Sequence, residues 1–233
     1  APAQPGRLDA RVFAAASGVS LGILAVFLAA ANPGAVSVDS AVQWTQALTG
    51  AYSNWHPVFH TLLLRLCSLI VPSYTFTLAV QCLAFSLAAG YLVATLHAWG
   101  VKTRWLLLAE ALTVAAPILG NTMMYLWKDN AMTIGVTVLG AQAVNAYFSR
   151  GKWLGKTRNA LAFGLTLAFT TLVRHNALLF TLPLLLAAAL TCRKQLRGAL
   201  TAAAALVTAL ALVWGPLYAA LDVTYPNNTL EES

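Results

Sequence analysis

The chain is a succession of apolar runs, each near the length that carries a helix through a bilayer. Stretches rich in Leu, Ala, Val and Phe occupy 12–31, 75–98, 104–120, 131–149, 159–173, 177–192 and 199–221, and a helical span needs about 20 mostly apolar residues. Strands of a membrane barrel would be shorter and would alternate apolar with polar positions. With 59% hydrophobic and only 9% charged residues, the chain lies far from a soluble domain, where roughly a quarter of residues are charged. The expected fold class is therefore all-α: a polytopic membrane protein of about seven transmembrane helices.

A net charge of +7 would suit nucleic acid, but the bases stand in short clusters between apolar runs, where they set topology. Membrane lipid is the expected partner and nucleic acid is not. Cys67, Cys82 and Cys192 form no CxxC or His-Cys pattern and read as packing residues. The first run lacks a small-residue cleavage motif and reads as a retained span. The start at Ala1 and the polar tail suggest a fragment of a longer protein.

The segment 58–73, "VFHTLLLRLCSLIVPS", is the ambiguous one, and charge decides it. If it lies in the interface, Arg7, Arg11, Lys102, Arg104, Arg150, Lys152, Lys156, Arg158, Arg193, Lys194 and Arg197 all fall on one side, which is then cytoplasmic. If it crosses, most of them move outside. Its length and its His60 and Arg65 also suit an in-plane helix. The N-terminus is thus expected in the cytoplasm, and Arg65, Lys128 and Arg174 are the basic residues left outside.

Three outer loops hold the remaining polar chemistry. In the first, "VSVDSAVQWTQALTGAYSNWHPVFH", Ser40 and Gln43 have the spacing of a capping box and Gly50 that of a C-cap, which predicts a short helix with Asp39 at its start. Asp39 reads either as a helix-capping acid or as a functional carboxylate. Gln43 and Gln46 share its face. His56 enters a second helix through Pro57, with His60 about one turn inside; no third ligand stands at a useful spacing for a metal. The second loop, "GNTMMYLWKDNAM", places Lys128 beside Asp129, and the third, "LVRHNALL", holds Arg174 and His175 close to the membrane. The Asn227-Asn228-Thr229 triplet matches a glycosylation acceptor. Glu110, inside a span, reads as neutral or paired.

An outward acid, a His-Pro entry and outer bases just above the bilayer fit one reaction. A polyprenyl-phosphate sugar has its tail in lipid and its phosphate at headgroup level. Lys128 and Arg174 would bind that phosphate and stabilise it as it departs, and Asp39 would take the proton of an acceptor hydroxyl. Gln43, His56, Asp129 and His175 complete the expected site as substrate-binding residues.

The order "PGAVSVDSAVQW", "SNWHPVFHTLLLRL", "LWKDNAM", "LVRHNALL" resembles the membrane glycosyltransferases of the GT-C fold, a group that includes protein mannosyltransferase-like and lipid-modifying enzymes, and more narrowly an uncharacterised bacterial branch of it. The resemblance covers most of residues 30–180. It implies a catalytic acid in the first outer loop, here Asp39, followed by two in-plane juxtamembrane helices, here 40–49 and 58–72. It further implies inverting transfer from a polyprenyl-phosphate-linked sugar donor to an extracytoplasmic acceptor, a lipid, polysaccharide or protein, at a bacterial cell membrane. Some members use a divalent cation, Mg or Mn; the usual paired acid is absent here, Ser37 standing two before Asp39, and the metal requirement stays open. Ala177 stands where the pattern has Gly. Related chains are longer, so 1–221 is expected as a GT-C-like transmembrane domain and 222–233 as the start of an extracytoplasmic tail or truncated outer region. The competing expectations are a secondary transporter, which would place its charges near the midplane, and a polysaccharide polymerase or ligase acting on lipid-linked oligosaccharide.

Overall fold

A computed structural model describes residues 7–192 and 195–225. Arg193, Lys194 and the Asn227-Asn228-Thr229 triplet lie outside the described residues. The fold is all-helical, and among the described residues the only extended pairing is an isolated parallel bridge between Ser53 and Thr224.

Local chemistry sets the element boundaries. Helix α1, Ala10–Ala31, starts where the Asp9 carboxylate accepts from the amides of Arg11 and Val12. Two shorter helices follow, α2 (Val38–Thr49) and α3 (Val58–Ile70), then α4, Tyr74–Ala98, capped by Ser73. The stretch 104–120, expected as one span, is broken into α5, Thr103–Ala115, and α6, Pro117–Thr122. Pro117 is the cause, because a residue before proline is driven out of the helical region and Ala116 is extended. Helices α7 (Lys128–Phe148), α8 (Thr157–Leu172) and α9 (Leu178–Thr191) come next. The last apolar run forms α10, Leu196–Leu212, a π-turn at Val213–Leu217 that accommodates Pro216, and α11, Tyr218–Ala220.

Four helical segments are long and apolar enough to cross a membrane: Ala10–Ala31, Tyr74–Ala98, Lys128–Phe148 and Leu196–Ala220. The expected spans at 104–120, 159–173 and 177–192 correspond to shorter helices. Large apolar side chains such as Leu112, Leu186, Leu200 and Val207 point outward and are exposed, the reverse of a water-soluble surface and the arrangement a lipid solvent favours.

Helix α1 packs on α4 and α5, α4 on α7, α7 on α8, and α8 on α10. Small residues let the backbones approach. A Cβ on Gly90 would stand 2.1 Å from Ser17 Oγ and 2.9 Å from the Phe13 carbonyl, and one on Gly164 would stand 2.3 Å from the Ala202 carbonyl. One core gathers Leu24, Cys82, Phe85, Val114 and Met123 between α1, α4 and the α5–α6 region; another gathers Leu139, Phe163, Leu167 and Leu206 between α7, α8 and α10.

Contacts at the helix ends show that the chain alternates between opposite ends of this bundle. At one end the Ala35 amide donates to the Met124 carbonyl (2.9 Å), Asp129 pairs with Arg174, and the Asn54 amide donates to the Thr224 carbonyl (2.8 Å). The segments around 35, 124, 174 and 224 therefore meet. At the other end Trp99 Nε1–H donates to Asn145 Oδ1 at 2.9 Å, and Gly155 lies against the Gln195 side chain. Val12 near the start of α1 packs there with Val93 and Ala94. Helices α2 and α3 pack on each other beside the first end, joined by Arg65, whose Nη1 donates to the carbonyls of Ala47 (2.8 Å) and Leu48 (2.7 Å). A guanidinium at the carboxyl end of a helix satisfies carbonyls that lack partners and meets the negative end of the helix dipole.

Candidate active site

The end of the bundle that gathers the three polar loops also holds a cleft of about 350 Å³, lined by Ser37, Val38, Asp39, Gln43, Trp127, Lys128 and Asp129. Its wall is built by α2 and the first turn of α7, elements held in register by a small set of bonds. Tyr74 Oη–H donates to the Ala35 carbonyl (2.8 Å) and accepts from the Leu126 amide (3.2 Å). Trp127 stacks on Tyr125 at 4.4 Å and its Nε1–H donates to Ser37 Oγ at 2.7 Å. Asn130 Nδ2 and Gln81 Nε2 both donate to the Tyr125 carbonyl. The first and second loops are thereby fixed to each other on either side of the cleft.

The cap of α2 is Ser37, not Ser40. The Ser40 amide donates to Ser37 Oγ (3.2 Å) and the Ser37 amide donates to Ser40 Oγ (2.8 Å), a reciprocal capping box three residues earlier than the expected one. Gly50, with φ +78°, ends the helix as expected. This shift has two consequences. Gln43 is released from a capping role, is buried, and donates through Nε2 to Thr61 Oγ1 on α3 at 3.2 Å. Asp39 takes no part in the cap, and its carboxylate is free to face the cleft.

Lys128, at the start of α7, joins two sequence-distant groups. Its Nζ lies 3.2 Å from Asp39 Oδ2 and 3.1 Å from His56 Nδ1. His56 Nε2 stands 4.0 Å from Asp39 Oδ1. The Asp39 side chain is 56% exposed, whereas that of Lys128 is 21% exposed, so the carboxylate remains accessible while the ammonium is largely enclosed. His56 is buried, and burial first, then the neighbouring Lys128 charge, lowers its pKa below the usual 6.5, with Asp39 opposing the shift. His60, fully buried on α3, has an unpartnered Nδ1. Burial, then the charges of Lys128 and His56, lower its pKa to about 3.

The neighbouring pair of the second loop does not pair with itself. Lys128 turns to Asp39, and Asp129 pairs with Arg174 from the turn after α8. His175 lies next to that pair in the chain and is exposed. Of the expected site residues, Asp39, Gln43, Lys128 and Asp129 line the cleft, His56 backs it through Lys128, Arg174 reaches it through Asp129, and His175 stays at the rim turn. Ser37, Trp127, Tyr74 and Thr61 are further members. Trp127 stands inside the quoted "LWKDNAM", whereas Tyr74, at the start of an apolar helix, carries no sequence signal for its role.

A divalent cation does not fit this donor set. Asp39 already faces an ammonium and Asp129 a guanidinium, and among the described residues no group of three or more His, Cys, Asp and Glu side chains is placed to hold a metal ion. Glu110 lies apart in the bundle, buried, with Oε1 accepting from Ser20 Oγ–H at 2.7 Å. Against known proteins, no family model, no curated protein and no solved structure matches the chain.

Proposed function

We propose that the chain is a membrane glycosyltransferase of the GT-C kind, transferring a sugar from a polyprenyl-phosphate donor to an extracytoplasmic lipid, polysaccharide or protein acceptor. The observation that carries this reading is the pairing of an accessible carboxylate, Asp39, with an enclosed cation, Lys128, across one cleft at the end of an apolar helical bundle. In this reading about seven spans cross the membrane, with the shorter α5–α6, α8 and His175–Thr191 segments among them, while α2 and α3 lie in the outer interface. The clustered bases at the opposite end then face the cytoplasm, as the positive-inside trend requires.

The chemistry follows from the two charges. The acceptor hydroxyl attacks the anomeric carbon while its proton passes to the Asp39 carboxylate. The bond from that carbon to the phosphate oxygen breaks, its electron pair stays with the departing phosphate, and one displacement inverts the anomeric centre. Lys128 lines the same cleft, so a phosphate entering it competes with Asp39 for the ammonium and is met by positive charge as negative charge develops. Arg174, drawn from Asp129, supplies the second positive group, in the planar form suited to phosphate oxygens. Gln43 and Asp129 line the cleft that takes the sugar and its phosphate, His56 stands behind it against Lys128, and His175 is at its rim.

The test uses membranes containing the protein and a panel of radiolabelled polyprenyl-phosphate sugars. Transfer to endogenous acceptors should fall by about 10²–10⁴-fold in Asp39→Asn, the usual contribution of a general base, at unchanged protein level. Equal transfer in both removes Asp39 as the base. Absence of transfer from every donor, together with transfer from lipid-linked oligosaccharide, identifies a polymerase or ligase instead.

A further inference from the structure

We infer that His56, as the neutral tautomer with its proton on Nε2, is a positioning residue that holds the Lys128 ammonium against Asp39 and makes the site sensitive to acid. The inference rests on the glycosyltransferase reading for its link to catalysis, and on geometry for the rest.

The tautomer follows from donor and acceptor chemistry. An ammonium has three N–H donors and no acceptor. Lys128 Nζ lies 3.1 Å from His56 Nδ1, so Nδ1 must present a lone pair and cannot carry a proton. The ring proton then sits on Nε2, the nitrogen directed to Asp39 Oδ1 at 4.0 Å. One imidazole thus accepts from the cation with one nitrogen and turns its N–H toward the carboxylate with the other. Lys128 is donated to from no side, and its two acceptors, His56 and Asp39, fix where the ammonium stands.

His56 is well placed for such a role. It is 5% exposed, and Pro57, the residue that opens α3, follows it directly, so its backbone is set by the turn into that helix. The charged and titratable groups that act with it come from several elements: Asp39 on α2, His60 on α3, Lys128 on α7 and His175 in the turn after α8. Burial, Lys128 and His175 oppose a proton on His56, and Asp39 alone favours one.

The acid response has a definite sign. The fold favours neutral His56, so the ring protonates below its ordinary 6.5. When it does, Nδ1 becomes a donor facing an ammonium, two positive groups stand at hydrogen-bond distance, and Lys128 must leave. The arrangement is complete above 6.5 and is lost as the pH falls through the lowered pKa.

Two measurements test this. In the first, the protein labelled with nitrogen-15 histidine is placed in nanodiscs, and the His56 signals are assigned by their loss in His56→Asn. At pH 7 Nδ1 should be unprotonated and Nε2 protonated, and in Lys128→Met the ring should titrate at a higher pH than in wild type. A protonated Nδ1 at pH 7, or a titration unmoved by Lys128→Met, overturns the inference whatever the protein's activity. In the second, the pH profile of sugar transfer is compared between wild type and His56→Asn, whose amide oxygen still accepts from Lys128 but does not titrate. The acid limb should move to lower pH. An acid limb that stays in place overturns the positioning role, whereas absence of transfer in wild type overturns the glycosyltransferase reading and leaves the tautomer measurement standing.

Discussion

Lys128 Nζ lies 3.2 Å from Asp39 Oδ2 although 89 residues separate the two in the chain. The pair carries little structural weight. Ion pairs with one well-solvated partner contribute little to stability, at most about 1 kcal/mol, and the Asp39 carboxylate is more than half exposed. Asp39→Asn should therefore leave thermal unfolding in detergent nearly unchanged, while under the proposed glycosyltransferase reading it lowers sugar transfer by about 10²–10⁴-fold. A large fall in melting temperature would instead assign the acid a structural role.

Arg65 makes the opposite prediction. Its guanidinium donates to the last-turn carbonyls of Ala47 and Leu48, joining α3 to the end of α2. Hydrogen bonds to a charged donor contribute about 1.5–3 kcal/mol. Arg65→Met should loosen the end of α2, and hydrogen exchange at the amides of residues 47–50 should quicken ahead of those in α4. Uniform exchange across both helices would show that α2 does not depend on this cap.

Glycine at the helix crossings should be irreplaceable. Gly90→Ala sets a methyl against Ser17 Oγ and the Phe13 carbonyl, and Gly164→Ala sets one against the Ala202 carbonyl. Overpacking of this kind costs about 1–3 kcal/mol. Gly22, on the same helix as Ser17, has nothing within 4 Å of a built Cβ, so Gly22→Ala is the matched control and should be neutral. Thermal unfolding of the purified variants distinguishes them; equal values for all would mean that the helices separate enough to absorb a methyl.

His60 links the fold to pH. Its folded-state pKa is lowered to about 3, below the ordinary value of about 6.5, so the unfolded chain binds the proton first as the medium turns acid. Stability associated with His60 is fully present above 6.5 and is lost progressively as the pH falls toward 3. A His60→Leu variant should unfold with a shallower dependence on pH between those limits. Identical slopes in the two proteins would place the acid sensitivity elsewhere.

Composition and periodicity determined much of this protein. The long apolar runs pointed to an all-helical chain with lipid-compatible outer faces, because a surface that excludes water leaves backbone groups to bond within the protein and runs of this length do so as helices. Gly50 marked the end of α2 and Pro57 the entry to α3, since glycine permits the left-handed turn that ends a helix and proline fixes its own φ. The motifs also named Asp39, His56, Lys128, Asp129 and Arg174, polar groups rare enough in such a chain to stand out.

Which of these groups face each other was decided only by the tertiary structure. Lys128 and Asp129 are adjacent in sequence, yet at the first turn of α7 they diverge, one toward Asp39 and the other toward Arg174. The cap of α2 had two serines of equal propensity, Ser37 and Ser40, and the bond from Trp127 to Ser37 joins that start to the second loop. Tyr74 shows the limit most clearly. Its hydroxyl ties Ala35 to Leu126 and so sets the two walls of the cleft, but a tyrosine at the head of an apolar helix looks like any interfacial aromatic. Local sequence fixes what a residue is able to bond; the packing of helices fixes which partner comes within about 3 Å.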